Sequence, residues 1–193
     1  MVSRKARPAL NGRHPIHVTL RVLPGIPSLR VLNGCVKGAL IASARRSDFR
    51  LIHFSIQGNH LHLIVEADDT RALSKGMQGL AMRVARAVNQ AMSRKRGKVF
   101  SDRYHHHVLK TPSETRTAIS YLVHNYRKHM AEAGRSIGRD FIDPHSTAPS
   151  FAEREKSPLP TPRSFFLSRG WSLAGPIQVG RFLVRDSVDV VPL

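Results

Sequence analysis

The sequence predicts an α+β protein in which a ferredoxin-like, split βαβ antiparallel sheet is followed by an added C-terminal helix that carries a tyrosine. Two observations lead to this prediction. Short stretches in which apolar and polar residues alternate, as in half-buried strands, are interspersed with longer stretches in which apolar residues recur every three or four positions, as in helices. Their order is strand, helix, strand, strand, helix, strand, helix, and the first six elements make up the split βαβ unit.

Four stretches predict the strands. They span residues 14–22, 50–57, 60–66 and 103–110. In the first three, one face of the strand is aliphatic and the other carries His, Ser, Thr, Gln or Arg, because successive side chains on a strand point to opposite faces. The two helices of a split βαβ unit cover one face of the sheet, so we expect the other face to be open and polar.

Three stretches predict the helices. Residues 28–44 form the first, and residues 70–95 form the second, which has one apolar stripe and a basic face opposite to it. The third begins with Thr111 as its cap and Pro112 at its first helical position, and Gly134 ends it. The third helix therefore follows the last strand and can lie near the open face of the sheet.

Composition divides the chain into four parts. Residues 1–13 are predicted to form a basic flexible arm, and residues 14–134 a single folded domain. Residues 135–162 are rich in Pro, Ser and Thr and predict a linker. Residues 163–193 contain enough apolar side chains to predict a small ordered appendage, whose role the sequence does not indicate.

The charge of the chain points to nucleic acid as its partner. Lys and Arg number 31 against 13 Asp and Glu, which gives a formal net charge of +18, and each phosphate contact made by such a protein releases condensed counterions. An acidic membrane surface is the competing partner. We expect no membrane association, because no stretch approaches the ~20 apolar residues of a membrane span and the basic start lacks the apolar region of a signal peptide. The single cysteine, Cys35, predicts a reducing, cytoplasmic location.

Two histidines stand out as candidate metal ligands. Gly58 and Asn59 predict a tight turn that leads into the third strand, where His60 and His62 are separated by one residue. Their rings therefore project from the same face of the sheet, close enough to share one ion. The alternative is that they are two surface or hydrogen-bonded histidines of a strand.

A tyrosine on the third helix is the candidate nucleophile. Tyr121 lies away from the apolar stripe of that helix, and Asn125 and Lys128 lie beside it on the polar face. The alternative is an exposed helix tyrosine. A set of basic residues is predicted to contact nucleic acid, with a solvated basic face as the alternative for each residue: Arg83, Arg86, Arg94, Lys95, Arg96, Lys98, Arg103 and Lys128.

Four motifs together resemble the single-tyrosine HUH transposases, the family of IS200-like and REP-associated tyrosine transposases. They are the sequences His-Val-Thr-Leu-Arg at 17–21, Gly-Asn-His-Leu-His-Leu-Ile-Val at 58–65, Gly-Lys-Val-Phe-Ser-Asp-Arg-Tyr at 97–104 and Tyr-Leu-Val-His-Asn at 121–125. Two positions depart from the family pattern. Tyr126 follows Asn125 where many REP-associated relatives have proline, and Phe100 stands where tryptophan is common.

The resemblance implies an enzyme that cuts and rejoins single-stranded DNA during transposition. By this resemblance Tyr121 would be the nucleophile that forms a 5′-phosphotyrosine intermediate. His60, His62 and Asn125 would hold a divalent metal, Mg²⁺ or Mn²⁺. Glu66 and His124 are the next candidates for the third ligand, after Asn125. The implied partner is single-stranded or hairpin DNA, bound by a monomer or a homodimer.

Two other functions remain open from the sequence. One is a domesticated DNA-binding protein that keeps the fold and the charge without catalytic turnover. The other is an RNA-binding ferredoxin-like module of the RRM type, which would need paired aromatic residues on the open sheet face. The predicted strands carry His, Thr, Ser and Gln there, so the RNA-binding alternative is the less favoured.

Overall fold

A computed structural model describes residues 10–152, 157–184 and 190–192 of the chain. Its helices and strands follow in the order β1 (Ile16–Arg21), α1 (Asn33–Ala42), β2 (Phe49–Ile56), β3 (His60–Ala67), α2 (Thr70–Ala91), β4 (His105–Val108), α3 (Pro112–Glu132), α4 (Ala148–Ala152), α5 (Phe165–Ser168), a 3-10 helix (Gly170–Ala174), β5 (Ile177–Val179), β6 (Phe182–Val184) and β7 (Val190–Pro192). The predicted order of elements up to α3 is observed.

The main sheet has the topology that the sequence predicts. Its four strands lie in the order β2-β3-β1-β4, and each neighbouring pair is antiparallel. This is the split βαβ arrangement, because the strands joined by each crossover helix are separated by one antiparallel strand. The predicted fold class is therefore confirmed, and β3 with its two histidines lies at the centre of the sheet.

One face of the sheet packs against α1 and α2. Leu61, Leu63 and Val65 point from β3 into this core and are fully buried. The apolar stripe of α2 packs on them, as the helical periodicity predicts. Because strand side chains alternate, this packing turns His60 and His62 to the opposite face.

The opposite face is only partly open, which corrects the expectation of a wholly open polar face. A second core forms there, in which Ile52 and Ile64 pack against α3, α4 and the C-terminal segment. Ile52 reaches this side because the pairing of β2 with β3 shifts between Leu51 and His53, where a bulge interrupts the alternation. The polar surface is therefore restricted to the part of the face that carries His60 and His62.

The described part of the predicted linker packs against strand β2, which is an edge of the main sheet. The backbone N–H of Ile56 donates to the carbonyl of His145 at 2.8 Å, and the N–H of Thr147 donates to the carbonyl of Phe54 at 3.0 Å. Asp143 is buried and accepts two hydrogen bonds from the guanidinium of Arg30, at 2.8 and 2.9 Å. This segment therefore satisfies strand groups that would otherwise be unpaired.

The C-terminal segment packs on helix α3. Trp171 is buried in the second core with only 2% of its surface exposed, and Arg116 of α3 donates hydrogen bonds to the carbonyls of Gly175 and Pro176. Strands β5, β6 and β7 form a separate antiparallel sheet. The predicted division into an arm, a domain, a linker and an appendage stays a prediction, and residues 1–9 of the arm lie outside the described residues.

Several element ends differ from the prediction. Helix α1 spans Asn33–Ala42 instead of residues 28–44, and residues 29–32 form a turn in which the N–H of Leu29 donates to the carbonyl of Gly58. Helix α2 ends at Ala91 rather than at residue 95, because Ser93 has a φ of 55°, in the left-handed region that ends a helix. Strand β4 is limited to His105–Val108, since Val22 pairs instead with Phe100 in the preceding loop. Within the described residues, no helix is long and apolar enough to cross a membrane.

Candidate functional site

The histidines of β3 project from the sheet beside polar residues of the neighbouring strands. The register places Thr19 of β1 and Ser55 of β2 on either side of His62, and Arg21 opposite His60. Directly paired residues share a sheet face, so a polar row crosses the sheet at His62. The rings of His60 and His62 lie 4.6 Å apart between centroids and are nearly perpendicular, which agrees with the prediction that they lie side by side.

Helix α3 brings Tyr121 to these histidines. The side chain of Thr111 caps the helix by accepting a hydrogen bond from the N–H of Glu114 at 3.1 Å, with Pro112 at the start of the helix, as predicted. The apolar side of the helix packs on the second core and leaves Tyr121 half-buried at its margin. The Tyr121 hydroxyl lies 3.5 Å from Nε2 of His62. The fold thus brings Tyr121 next to the two histidines, although His62 precedes it by 59 residues in the chain and His60 by 61.

His17 joins this group, although the sequence analysis did not single it out. Its Nε2 lies 3.2 Å from Nδ1 of His62, and the hydroxyl of Thr19 lies 3.2 Å from the same atom. The ring of His17 is also 6.0 Å from that of Tyr121. The signal in the sequence was the polar face of β1, on which His17 and Thr19 are two residues apart.

The three sheet histidines are neutral at neutral pH. Burial, with a smaller contribution from neighbouring histidines, lowers the pKa of His62 to about 3. Burial is also the main reason why the pKa values of His60 and His17 are lowered to about 4. A neutral imidazole keeps a lone pair on one ring nitrogen, which is the form that binds a metal or accepts a proton.

The electrostatic surroundings of Tyr121 keep its hydroxyl protonated. Burial and, second, the negative charge of Glu132 raise the pKa of Tyr121 above its ordinary value. The ammonium of Lys128 lies 5.9 Å from the centre of the tyrosine ring and 3.9 Å from a carboxylate oxygen of Glu132. A reaction at the Tyr121 oxygen therefore requires loss of its proton as the new bond forms.

Asn125 lies one helical turn beyond Tyr121 and is 1% exposed. Its amide oxygen and nitrogen have no hydrogen-bond partner among the described residues. An unpaired buried amide costs about 1–3 kcal/mol, so this side chain is suited to a ligand that is not part of the protein. Its role as a metal ligand stays a prediction.

The two alternative candidates for the third metal ligand, Glu66 and His124, have other partners in the protein. Glu66 forms a buried ion pair with Arg50 and accepts hydrogen bonds from the backbone N–H groups of Arg163 and Ser164. The Nδ1 atom of His124 lies 2.8 Å from the carbonyl of Ser120. The contacts of Glu66 tie strand β3 to the C-terminal segment, and His124 is engaged within helix α3.

A second histidine missed by the sequence analysis lies near His60. His129, two turns beyond Tyr121 on α3, has its ring centroid 5.6 Å from that of His60. Its Nδ1 atom is 3.2 Å from a carboxylate oxygen of Glu132, and its Nε2 atom is buried without a partner in the described part of the chain. The spacing of Tyr121, Asn125 and His129 by four residues each was the signal in the sequence.

A cleft of about 480 Å³ opens in front of the histidine pair and Tyr121. Its lining also includes polar and charged residues from β1, β4 and the loop before β4: Thr19, Arg21, Ser101, Asp102, Arg103 and His105. Two guanidinium groups in a cleft are suited to the phosphates of a nucleic-acid strand. Among the described residues, no group of three or more His, Cys, Asp or Glu side chains already stands in metal-binding geometry.

The structure brings only part of the predicted basic set to this cleft. Arg103 lines it and Lys128 lies beside Tyr121. Arg83 and Arg86 belong to α2, on the other side of the sheet, where the guanidinium of Arg83 donates to the carbonyl of Ala42. Four residues lie at the end of α2 and in the loop that leads to the cleft: Arg94, Lys95, Arg96 and Lys98.

Comparison with known proteins gives matches to transposases. Residues 32–126, about half of the chain, match the family model described as "Transposase IS200 like", and this range contains His60, His62, Tyr121 and Asn125. No curated protein matches the chain in sequence.

Two solved structures are similar to this chain. One is a REP-associated tyrosine transposase bound to a REP hairpin, with a TM-score of 0.60, 16% sequence identity, and coverage of 84% of this chain and 100% of that one. The other is a candidate transposase from Deinococcus radiodurans R1, with a TM-score of 0.42, 16% identity, and coverage of 71% and 99%. The first match confirms the predicted fold class.

Proposed function

The chain belongs to the IS200-like transposase family, whose function is DNA transposition, and from this premise we propose that it cuts and rejoins single-stranded DNA through Tyr121. The observation that carries the proposal is the position of the Tyr121 hydroxyl, 3.5 Å from His62 in a cleft that also holds Arg21 and Arg103. A nucleophile, neutral imidazoles and cationic side chains are thus grouped where a DNA strand can enter.

In the proposed reaction the phenolic oxygen of Tyr121 attacks a phosphorus atom of the DNA strand. A bond forms between that oxygen and phosphorus, and the bond from phosphorus to the 3′ oxygen of the preceding nucleotide breaks. The phenol loses its proton and the departing 3′ oxygen gains one, so a 5′-phosphotyrosine and a free 3′-hydroxyl result. The energy of the phosphodiester is kept in the tyrosyl ester, and attack by a 3′-hydroxyl on it rejoins a strand without a high-energy cofactor.

The donor set at the site fits a divalent metal. We propose that His60, His62 and Asn125 hold Mg²⁺ or Mn²⁺, because the two imidazoles are neutral and the buried amide of Asn125 has no described partner. A bound ion would polarise the phosphoryl group and stabilise the charge that develops on it. His17 and Thr19 hold the far side of the His62 ring, which orients it towards the cleft.

Hairpin DNA is the proposed substrate class. A solved structure of similar fold holds a REP hairpin, and the positive charge of this chain favours any DNA. Arg21 and Arg103 would contact the phosphates next to the cut, and the basic residues from Arg94 to Lys98 would extend this contact along the strand. Arg86 lines a cleft with Arg94, Lys95 and Arg96 and would share their contact, whereas Arg83, which donates to the carbonyl of Ala42, would contact a more distant part of the DNA.

A covalent-adduct experiment tests the proposal. Single-stranded hairpin oligonucleotides labelled at the 5′ or the 3′ end are incubated with protein and Mn²⁺ and separated on a denaturing gel. We expect a protein-linked band that carries the DNA 3′ of the cut with the wild type and none with Tyr121→Phe. Tyr126→Phe is the matched control, since Tyr126 lies on the same helix but stacks under Arg30, 3.5 Å from the guanidinium to the ring centre.

Two results would contradict the proposal. An adduct that persists in Tyr121→Phe would assign the nucleophile to another residue. Absence of any adduct across a varied pool of oligonucleotides, with DNA binding retained by the wild type, would indicate a domesticated DNA-binding protein without turnover.

A further inference from the structure

His129 and Glu132 are close to the proposed metal site but have no part in the function proposed above. The ring of His129 is 5.6 Å from that of His60, which in turn is 4.6 Å from that of His62. Imidazole nitrogens bind metals at ~2.1 Å, so the ring centres of two histidines on one ion lie about 5 Å apart. The distances from His60 to His62 and from His60 to His129 are therefore each close to that between two imidazoles on one ion.

The three histidines are held in the same way. The Nδ1 atom of His60 is 2.7 Å from the side-chain oxygen of Asn59, and that of His62 is 3.2 Å from both His17 and Thr19. The Nδ1 atom of His129 is 3.2 Å from the carboxylate of Glu132. In each ring the Nδ1 atom faces a protein group. Nε2 is the atom left for an outside ligand, and in His62 this atom also lies 3.5 Å from the Tyr121 hydroxyl.

The contact between Glu132 and His129 is the arrangement that supports a metal-binding histidine. An ionised carboxylate can only accept hydrogen bonds. The Nδ1 atom of His129 therefore carries the proton and donates a hydrogen bond to Glu132. The lone pair of the ring then resides on Nε2. Carboxylate partners of this kind fix the tautomer and the orientation of metal-binding imidazoles and raise their basicity.

The Nε2 atom of His129 lacks any partner of its own. It is buried, and no hydrogen-bond partner for it is found in the described part of the chain. Buried polar atoms are almost always paired, so this atom, on a ring 5.6 Å from that of His60, is suited to bind an outside ligand. No three His, Cys, Asp or Glu side chains stand in ligand geometry within residues 10–152, 157–184 and 190–192, so binding of an ion by all three histidines requires the His129 ring to shift towards His60.

We propose that His129, oriented by Glu132, is a further ligand of the divalent metal at His60 and His62. The proposal rests on the proposed function, because it assumes the metal site of that function. Three imidazole ligands would shift the preference of the site from Mg²⁺, which favours oxygen ligands, towards Mn²⁺ and other transition metals. Helix α3 would then carry both the nucleophile and a metal ligand, so that metal binding fixes the position of Tyr121.

Metal binding without DNA tests this proposal. The full chain is titrated with Mn²⁺ by isothermal calorimetry, and electron spin echo modulation of the bound Mn²⁺ counts the coordinated imidazoles. We expect three imidazoles in the wild type and two in His129→Ala, with an affinity at least 10-fold lower and partly restored by free imidazole. Glu132→Gln should lower the affinity by about 10-fold or more.

Glu114→Gln is the matched control for Glu132→Gln, since Glu114 lies at the other end of helix α3, where its carboxylate accepts a hydrogen bond from the N–H of Lys110. It should leave the Mn²⁺ affinity unchanged. Equal affinity and the same imidazole count in wild type and His129→Ala would overturn the proposal, and a wild type that binds no Mn²⁺ would overturn it as well. The adduct experiment with Tyr121 reports separately on strand cleavage, so failure of the ligand assignment and failure of the proposed function are distinguishable.

Discussion

His62 contacts side chains from strand β1 and from helix α3. One ring nitrogen lies 3.5 Å from the Tyr121 hydroxyl and the other lies 3.2 Å from His17 and Thr19. A ring held on one side presents its other nitrogen in a fixed direction. The orientation of the proposed metal ligand therefore depends on a residue of a different strand.

Replacement of His17 tests this dependence. His17→Leu removes the 3.2 Å contact to His62, and we expect the rate of adduct formation to fall by roughly 10-fold to 100-fold while DNA affinity stays unchanged. The measurement is single-turnover cleavage of a labelled hairpin together with a binding titration. His14→Ala is the control, because His14 contacts Phe166 instead. A rate equal to that of the wild type would contradict an orienting role for His17.

At the scale of elements, helix α2 is positioned on the sheet by a close approach. A Cβ atom built on Gly76 would lie 2.2 Å from the ring of Phe49, whereas one built on Gly79 would meet nothing within 4 Å. Both glycines are in the middle of α2. The absence of a side chain at position 76 thus allows the helix to lie against the start of β2.

The two glycines of α2 make a matched pair of substitutions. Gly76→Ala forces Phe49 or the helix to move, and we expect it to lower the free energy of unfolding by about 1–3 kcal/mol. Gly79→Ala should raise that free energy by roughly 0.4–1 kcal/mol, since alanine costs less backbone entropy in a helix. Urea unfolding monitored by circular dichroism measures both. A stable Gly76→Ala protein would show that the packing of α2 on Phe49 adapts readily.

At the scale of the whole molecule, buried histidines couple stability to pH. Burial lowers the pKa of His53 to about 4, although the charge of Glu66 acts in the opposite direction. His53 lies against Thr147 and Phe151, in the segment that covers the edge of the sheet. Because its pKa is lower in the folded chain than the ordinary 6.5, the unfolded chain takes up the proton first as the pH falls.

Stability should therefore be constant above pH 6.5 and decrease between pH 6.5 and about 4. A shift of this size corresponds to up to about 3 kcal/mol from His53, and His17, His60 and His62 act in the same window. We expect His53→Gln to flatten the pH dependence of the free energy of unfolding without removing it. Urea titrations from pH 8 to 4.5 measure this, and an unchanged slope in the variant would refute the contribution of His53.

The distribution of positive charge predicts a salt-dependent affinity for DNA. Each phosphate contact to single-stranded DNA contributes about 0.7 to the slope of log affinity against log salt concentration. Replacement of Arg94, Lys95, Arg96 and Lys98 by glutamine should reduce this slope by up to about 3, as measured by fluorescence anisotropy. Arg83→Gln, whose guanidinium donates to the carbonyl of Ala42 on the far side of the sheet, should reduce the slope less per residue replaced, and an equal effect per residue would contradict a DNA path along the loop.

Much of the fold followed from local patterns in the sequence. The alternation in β1, β2 and β3 and the helical periodicity of α2 and α3 identified these elements, because each pattern reports the burial of side chains that are neighbours in the chain. The same reasoning located His60 and His62 on one face and set Tyr121 apart from the apolar stripe of its helix. It was wrong where a tertiary contact overrode the pattern. An example is the bulge in β2, which directs the side chain of Ile52 into the second core.

The sequence by itself determined the fold class, the histidine pair and the candidate tyrosine, since strand and helix periodicities are properties of adjacent residues. Only the tertiary structure decided that His17 lies against His62, that His129 lies beside His60, and that Glu66 pairs with Arg50 and the C-terminal segment. These residues meet their partners because elements that are distant in the chain pack together, and that packing depends on the shapes of whole surfaces. No local spacing encodes such a contact, so the composition of the site beyond Tyr121, His60 and His62 required the assembled fold.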